Sequence, residues 1–342
     1  MADLTTSYLG LTLQNPLIVG SSSITQSLQD IRHCEEKGAG AVVLKSLFEE
    51  QIHARYEQTR QNMIFPWHPE IYDMIEHLNI DYGPREYLNL ITEAKKAITI
   101  PVIASIHCYS DRYWIEFARQ IEAAGADAIE LNMHIFPVKR DTGTAEIEKT
   151  YHHTVQLLQE KIALPIALKL SPHFTNLFDF AVSLDRLGIN GLVLFNRFTP
   201  FDINIETLEP TSGPPFSQPN EKYTALRWIA LLSDNLKCDL VASTGNHSGA
   251  DVIKQLLAGA TAVQLCSVLY CDGIEVISKI LQELTEWMNH HQFDSIAQFR
   301  GLLNQKKSQK PETFERFQFI QASIRYLAEL SSSPGKSAPK IS

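Results

Sequence analysis

The phrase GAGAVVL at 38–44 returns as AGADAIEL at 124–131 and again as AGATAVQL at 258–265. In each copy a glycine stops an amphipathic stretch, and the chain turns straight into a short apolar run. Glycine at that point supplies the left-handed backbone that ends a helix. The run behind it shows little polar alternation, as expected of a strand covered on both faces. Outward from these three copies, the same kind of run recurs as LIVG (17–20), AVVLKS (41–46), PVIASI (101–106), AIELN (128–132), PIALKL (165–170), GLVLFN (191–196), DLVAST (239–244) and AVQLCS (262–267). That makes eight strands.

Helical stretches separate most of them. Thr25–Lys37 opens on a threonine cap signal and stops at Gly38; Asp111–Ala124 stops at Gly125. Glu146–Ile162 is bounded by Pro165, Phe174–Leu187 by Gly188, and Asp251–Ala258 by Gly259. Alternating β and α units in this number predict an α/β fold, the (β/α)8 TIM barrel. A doubly wound open sheet is the competing architecture, but no GxGxxG follows the first strand. Residues 4–14 read as a hairpin ahead of the barrel, and 47–84 as an insertion with a polar helix over 47–62 and an aromatic stretch behind it. Residues 199–217 read as an extended run rich in proline and threonine, and 311–330 as a helix on the barrel exterior. The expected organisation is one barrel domain over 1–330 and a disordered tail over 331–342, whose Ser, Pro and Lys content cannot support a core.

Composition narrows the function. The 342 residues are 44% hydrophobic and carry a formal charge of −9, so a nucleic-acid partner is not expected. The longest apolar runs are far too short for a membrane span, and MADLTTSYLG lacks the basic flank and apolar core of a signal peptide. Five scattered cysteines without a CxxC suit reduced thiols in the cytoplasm, and no metal site is expected.

Barrel chemistry sits where strands end. Those ends deliver Gly20, Ser21 and Ser22; Lys45 and Ser46; Ser105 and His107; Asn132 and His134; Lys169 and Ser171; Asn196 and Arg197; Ser243, Thr244, Gly245 and Asn246; and Cys266 and Ser267. Donors dominate and no carboxylate appears among them, which disfavours a carboxylate-held metal and paired-acid glycosidase chemistry and favours an electron-rich anionic ligand. The run STGNHSG (243–249), with Cys266 and Ser267, lies where a barrel commonly cradles phosphate on backbone N–H groups and a helix N-terminus. Each feature has a plainer reading: a rim lysine, a turn asparagine, a helix start. Two lysines following buried runs in different repeats argue against the first.

Six motifs then tie the chain to a family: NPLIVGSSS (15–23), LKS (44–46), ELN (130–132), PIALKLSP (165–172), TALRWIALL (224–232) and STGNHSGADVIKQLLAGATAVQLCSVLY (243–270). The chain resembles the dihydroorotate dehydrogenases of the soluble class 1 type, through residues 5–290 in the expected order. The resemblance implies an FMN-dependent oxidoreductase of pyrimidine metabolism acting on a CH–CH bond of a small substrate, often as a homodimer. It implies that Gly20 and Ser21 lie against the flavin and that Lys45 and Ser46 meet flavin and substrate. Lys169 would reach the electron-rich edge of the ring, Asn132 and Asn196 would bridge flavin and substrate, and Gly245, Asn246, Cys266 and Ser267 would hold the phosphate. Asn246 stands where the family has glycine, a mild change because Asn tolerates a left-handed backbone.

The substrate side departs further. Nothing in 47–84 resembles the family's N-S-M-G-L-P-N loop; NIDYGP (79–84) keeps one Asn and one Gly. After ELN the family places a basic cysteine, whereas this chain reads His134, Ile135, Phe136 and Pro137, with Ile135 in the base position. Arg197 replaces a small Ser or Thr and becomes a candidate substrate contact. His134 is the first substitute base, because imidazole titrates near neutrality; His107 and Cys108 are weaker ones. The alternatives are an FMN-dependent reductase of another substrate, a low-turnover flavin-binding paralogue, and an aldolase-type barrel with Lys169 as a Schiff-base amine. No NAD fingerprint or cluster motif names the electron acceptor, which leaves a partner subunit, fumarate or a quinone open.

Overall fold

The computed structural model describes residues 2–49, 84–135, 142–308, 311 and 314. An antiparallel hairpin of β1 (Thr6–Tyr8) and β2 (Leu11–Leu13) precedes β3 (Leu17–Val19). In chain order there follow β4 (Ala41–Val43), β5 (Leu47–Phe48), β6 (Val102–His107), β7 (Ala128–Asn132), β8 (Ile166–Leu170) and β9 (Gly191–Leu194). Then come β10 (Phe201–Asn204), β11 (Glu209–Ser212), β12 (Asp239–Ala242) and β13 (Ala262–Leu265). The parallel order β4-β3-β13-β12-β9-β8-β7-β6 closes on itself, because β4 also pairs with β6 through Val42↔Val102 and Val43↔Ile103. The result is the (β/α)8 barrel, with helices outside.

All eight sequence-read strands are present; six are shorter than their apolar runs, β7 matches its run, and β6 is shifted by one residue. The A-G-A turns work as read: Gly38, Gly125 and Gly259 sit at φ 96°, 93° and 119°, the left-handed region that closes a helix. Three readings need correction. The first helix does not start on a threonine cap. Residues 23–26 form a 3-10 turn, and Ser27 caps Leu28–Glu36 by accepting from Asp30 N. A polar helix cannot begin at 47, because Leu47 and Phe48 pair with Ile106 and His107 as a short strand. The run at 199–217 is not merely extended: β10 and β11 form an exposed antiparallel hairpin, with Ile205 and Leu208 in the open. Residues 50–83, Phe136, Pro137, the tail at 331–342 and most of the 311–330 helix lie outside the described residues.

Two cores result from strand alternation. Side chains pointing outward, such as Leu131 and Leu168, meet helix faces such as Trp114, Phe117 and Ile121. Side chains pointing inward fill the barrel. At its lower end these are small, with Ala41, Ala128, Ala167 and Ala262 leaving room for Tyr8, Leu9 and Leu13 of the first hairpin to plug it. Among the described residues no helix is long and apolar enough to cross a membrane.

Candidate active site

The inward rows continue upward in steps of two, and their chemistry changes. On β7 the row runs Ala128, Glu130, Asn132; on β8, Ala167, Lys169; on β13, Ala262, Gln264, then Cys266. One step above the alanines, Lys169 Nζ donates to Gln264 Oε1 at 3.0 Å and lies 3.5 Å from Glu130 Oε1. Gln264 Nε2 donates to Glu130 Oε2 at 2.6 Å. Glu130 is 1% exposed and Lys169 8%. A buried carboxylate is tolerable only when paired and hydrogen-bonded, and here the lysine and the amide do both.

A polar chain crosses the rest of the mouth. Asn196 Nδ2 donates to Asn132 Oδ1 at 2.8 Å, and Asn132 Nδ2 to Ser46 Oγ at 3.3 Å. Ser46 Oγ meets Ser105 Oγ at 2.8 Å, and Ser46 N donates to Ser21 Oγ at 2.9 Å. Tyr87 fixes the Ser105 backbone, its hydroxyl accepting from Ser105 N at 2.8 Å and donating to Ser105 O at 3.0 Å. His107 Nδ1 is hydrogen-bonded to Asn132 O. Lys45 Nζ donates to Gln26 Oε1 at 3.0 Å, at the solvent edge.

Beside this chain, between the ends of β8, β9, β12 and β13, a polar cavity of about 190 Å³ opens. Thr244 and Gly245 turn through φ 77° and 76° at its wall. A Cβ on Gly245 would come within 2.3 Å of Lys222 N, so the turn presses on the helix Lys222–Leu232. Asn246, 4% exposed, lines the cavity; its Oδ1 accepts from Gln255, while its Nδ2 has no hydrogen-bond partner among the described residues. Behind it stands the N-terminus of Gly249–Ala258, capped by Ser248. Lys222 pairs with Asp251 at 2.9 Å beneath the turn. Burial opposes ionisation of Asp251, but hydrogen bonds from Lys222, His247 N and Ser248 outweigh it and hold the carboxyl below its usual range. Cys266 lines the same cavity; burial pushes its thiol up, only partly opposed by Lys169 and Arg197, so it is a neutral thiol.

A buried lysine at the barrel mouth and an orphaned buried amide donor near a helix N-terminus thus line one polar cavity, a lining suited to an anionic ligand. The model of the family described as dihydroorotate dehydrogenase matches residues 3–288. The chain belongs to the dihydroorotate dehydrogenase family. It is 25% identical to a protein of Thermoplasma acidophilum named dihydroorotate dehydrogenase B (NAD(+)), catalytic subunit, over 88% of this chain and 99% of that one. A protein of the same name from Methanothermobacter thermautotrophicus is 28% identical, over 87% and 98%. Dihydroorotate dehydrogenase A (fumarate) of Limosilactobacillus reuteri is 27% identical, over 78% and 87%. The chain is thus a dihydroorotate dehydrogenase-like oxidoreductase.

Within this dehydrogenase fold, Gly20, Ser21, Lys169, Asn196, Arg197, Gly245, Asn246, Cys266 and Ser267 line the cavity, and Ser46 and Asn132 reach it through the polar chain. Lys45 stands apart, on Gln26. Arg197, read as a substrate contact, has its guanidinium engaged elsewhere: Glu221 at 2.9 Å and the carbonyls of Pro215 and Pro214 at 2.8 and 3.0 Å. His134 does not line the cavity. Its ring packs on Phe198 with centroids 4.0 Å apart, and burial, reinforced by His107 and His173, holds its pKa below the usual imidazole value. The absence of carboxylates from the strand ends concealed Glu130, one step down the barrel. Sequence reading also missed Gln264, Tyr87 and Ser217. For Glu130 and Gln264 a signal existed: each is the lone polar residue inside an otherwise apolar run, two before a mouth residue. For Tyr87 and Ser217 none did, because both come from outside the barrel strands.

Proposed function

We propose that the protein oxidises dihydroorotate, or a closely related cyclic amide, with FMN as its cofactor, in pyrimidine metabolism. The observation that carries this is that a buried, carboxylate-anchored Lys169 and an Asn246 with an orphaned Nδ2 both line one cavity. The cavity is smaller than a whole-ligand cleft, so it suits the phosphate end of FMN together with the adjoining edge of its ring. Gly245, Asn246, Cys266 and Ser267 would hold that phosphate. Gly20, Ser21, Lys45, Ser46, Asn132, Lys169 and Asn196 would hold the ring and the bound substrate.

When bound, FMN supplies the hydride acceptor. The chain supplies the rest. Lys169, anchored by Glu130, brings its ammonium to the electron-rich side of the acceptor. Asn132 and Asn196, locked to each other and to Ser46, orient the substrate amide. His134 takes the proton from the carbon next to the one that loses hydride. A neutral imidazole is the form a base requires, and the depressed pKa of His134 keeps it neutral. The same reading puts the protein in the cytoplasm, where its free thiols stay reduced, and makes it a homodimer.

The test is anaerobic. Dihydroorotate should bleach the flavin colour of the purified protein, and His134→Ala should slow that bleaching by about 10²–10⁴-fold, the usual worth of a positioned base. Protein that takes up no FMN would end the reading. A second reading, an FMN-dependent reductase of another substrate, draws on one observation, the engagement of Arg197 by Glu221. It predicts flavin that dihydroorotate leaves oxidised.

A further inference from the structure

We infer that Ser217, on the strap returning from the outer hairpin to the barrel, is a further phosphate-binding residue, and that His247 positions its hydroxyl. The inference rests on the FMN reading above. Ser217 belongs to a loop, yet it is only 5% exposed, and it lines the cavity with Asn246 and Ser267. Its contacts converge on the proposed phosphate end: Gly245 N donates to Ser217 Oγ at 3.2 Å, His247 Nε2 lies 3.4 Å from the same oxygen, and Ser217 N donates to Ser267 Oγ at 2.9 Å.

A proton count shows what this arrangement offers. A serine hydroxyl has one proton and two acceptor sites. Gly245 N–H occupies one acceptor site. With His247 in the tautomer that carries its proton on Nε2, the imidazole fills the other, and the hydroxyl proton of Ser217 is left to point into the cavity. In the opposite tautomer that proton is consumed by His247. Ser267 Oγ, already accepting from Ser217 N, likewise keeps its own proton to donate. Ser217, Ser267 and Asn246 all line this one cavity.

Neutral donors matter here because the neighbouring cations are committed. Lys169 is paired with Glu130, Arg197 with Glu221 and Lys222 with Asp251. The strap that carries Ser217 is held before any ligand arrives, by Arg197 on the carbonyls of Pro214 and Pro215 and by Lys222 on that of Pro219 at 2.8 Å. A donor fixed in this way loses little freedom on binding.

The experiment titrates the full chain, stripped of flavin, with FMN and in parallel with riboflavin, which has the same ring and no phosphate, following flavin fluorescence. Ser217→Ala should weaken FMN binding about tenfold, as for a lost hydrogen bond to a charged group, and leave riboflavin within about twofold. His247→Leu should repeat that loss, and His247→Gln, whose amide can donate to the serine, should restore FMN affinity. Riboflavin binding doubles as the check that each variant is folded. Unchanged FMN affinity in Ser217→Ala, or a parallel fall for both flavins, overturns the inference while leaving the FMN reading in place. If the unaltered chain binds neither flavin, both fall.

Discussion

The lower and upper ends of the barrel interior are built from the same strands, two residues apart, and do opposite work. Below, Ala128, Ala167 and Ala262 give way to a plug of Tyr8, Leu9 and Leu13. Above them, Glu130, Lys169 and Gln264 form a buried charged network. Alternation decides only that these side chains face inward. What they become depends on what meets them. An apolar hairpin arrives from below and rewards small, dry neighbours. Among the described residues no apolar segment like that hairpin meets the upper row, and its charges are paired with one another.

The largest expected effect breaks the upper half of that comparison. Lys169→Met strands the Glu130 carboxylate, and unfolding in urea should show a loss of about 3–5 kcal/mol. Adding Glu130→Gln should recover much of it, because the buried charge is then gone. If the single change costs under about 1 kcal/mol, the two residues are not coupled. Next, Leu13→Ala in the plug should cost about 2–5 kcal/mol from lost burial and a cavity. Flavin uptake by the molecules that remain folded should be unaltered, which separates plug from site. The smallest effect on stability concerns His134. Its folded pKa lies below the ordinary 6.5. A base must be neutral, so the bleaching rate should be flat above that value and fall only as pH drops through the depressed pKa. The His134→Ala variant should lack that limb. The same group contributes stability that is present above the unfolded value and lost as pH falls towards the folded one. A bleaching rate that already falls at or above the ordinary imidazole value would assign the limb to another group.

The eight strands and the A-G-A turns were legible because they depend on local pattern: apolar runs of strand length, and a glycine where the backbone must turn left-handed. The mouth residues were legible because a strand's last inward position follows from its run. Other features were not. Whether Leu47 begins a helix or pairs with Ile106 depends on a neighbour 59 positions away in register, not on its own run. Arg197 reads as a free cation at a strand end until Glu221 and two proline carbonyls are folded against it.

By itself the sequence determined the barrel, the row of donors at its mouth and the kinship carried by residues 243–270, since all three are written in short-range spacing. Tertiary structure alone decided which of those donors are free. Glu130 pairs with Lys169, Glu221 engages Arg197, and Gly245 yields its N–H to Ser217 across 28 positions of chain. Charge and hydrogen-bond capacity belong to residues, but their availability depends on which partners closure of the barrel brings within about 3 Å.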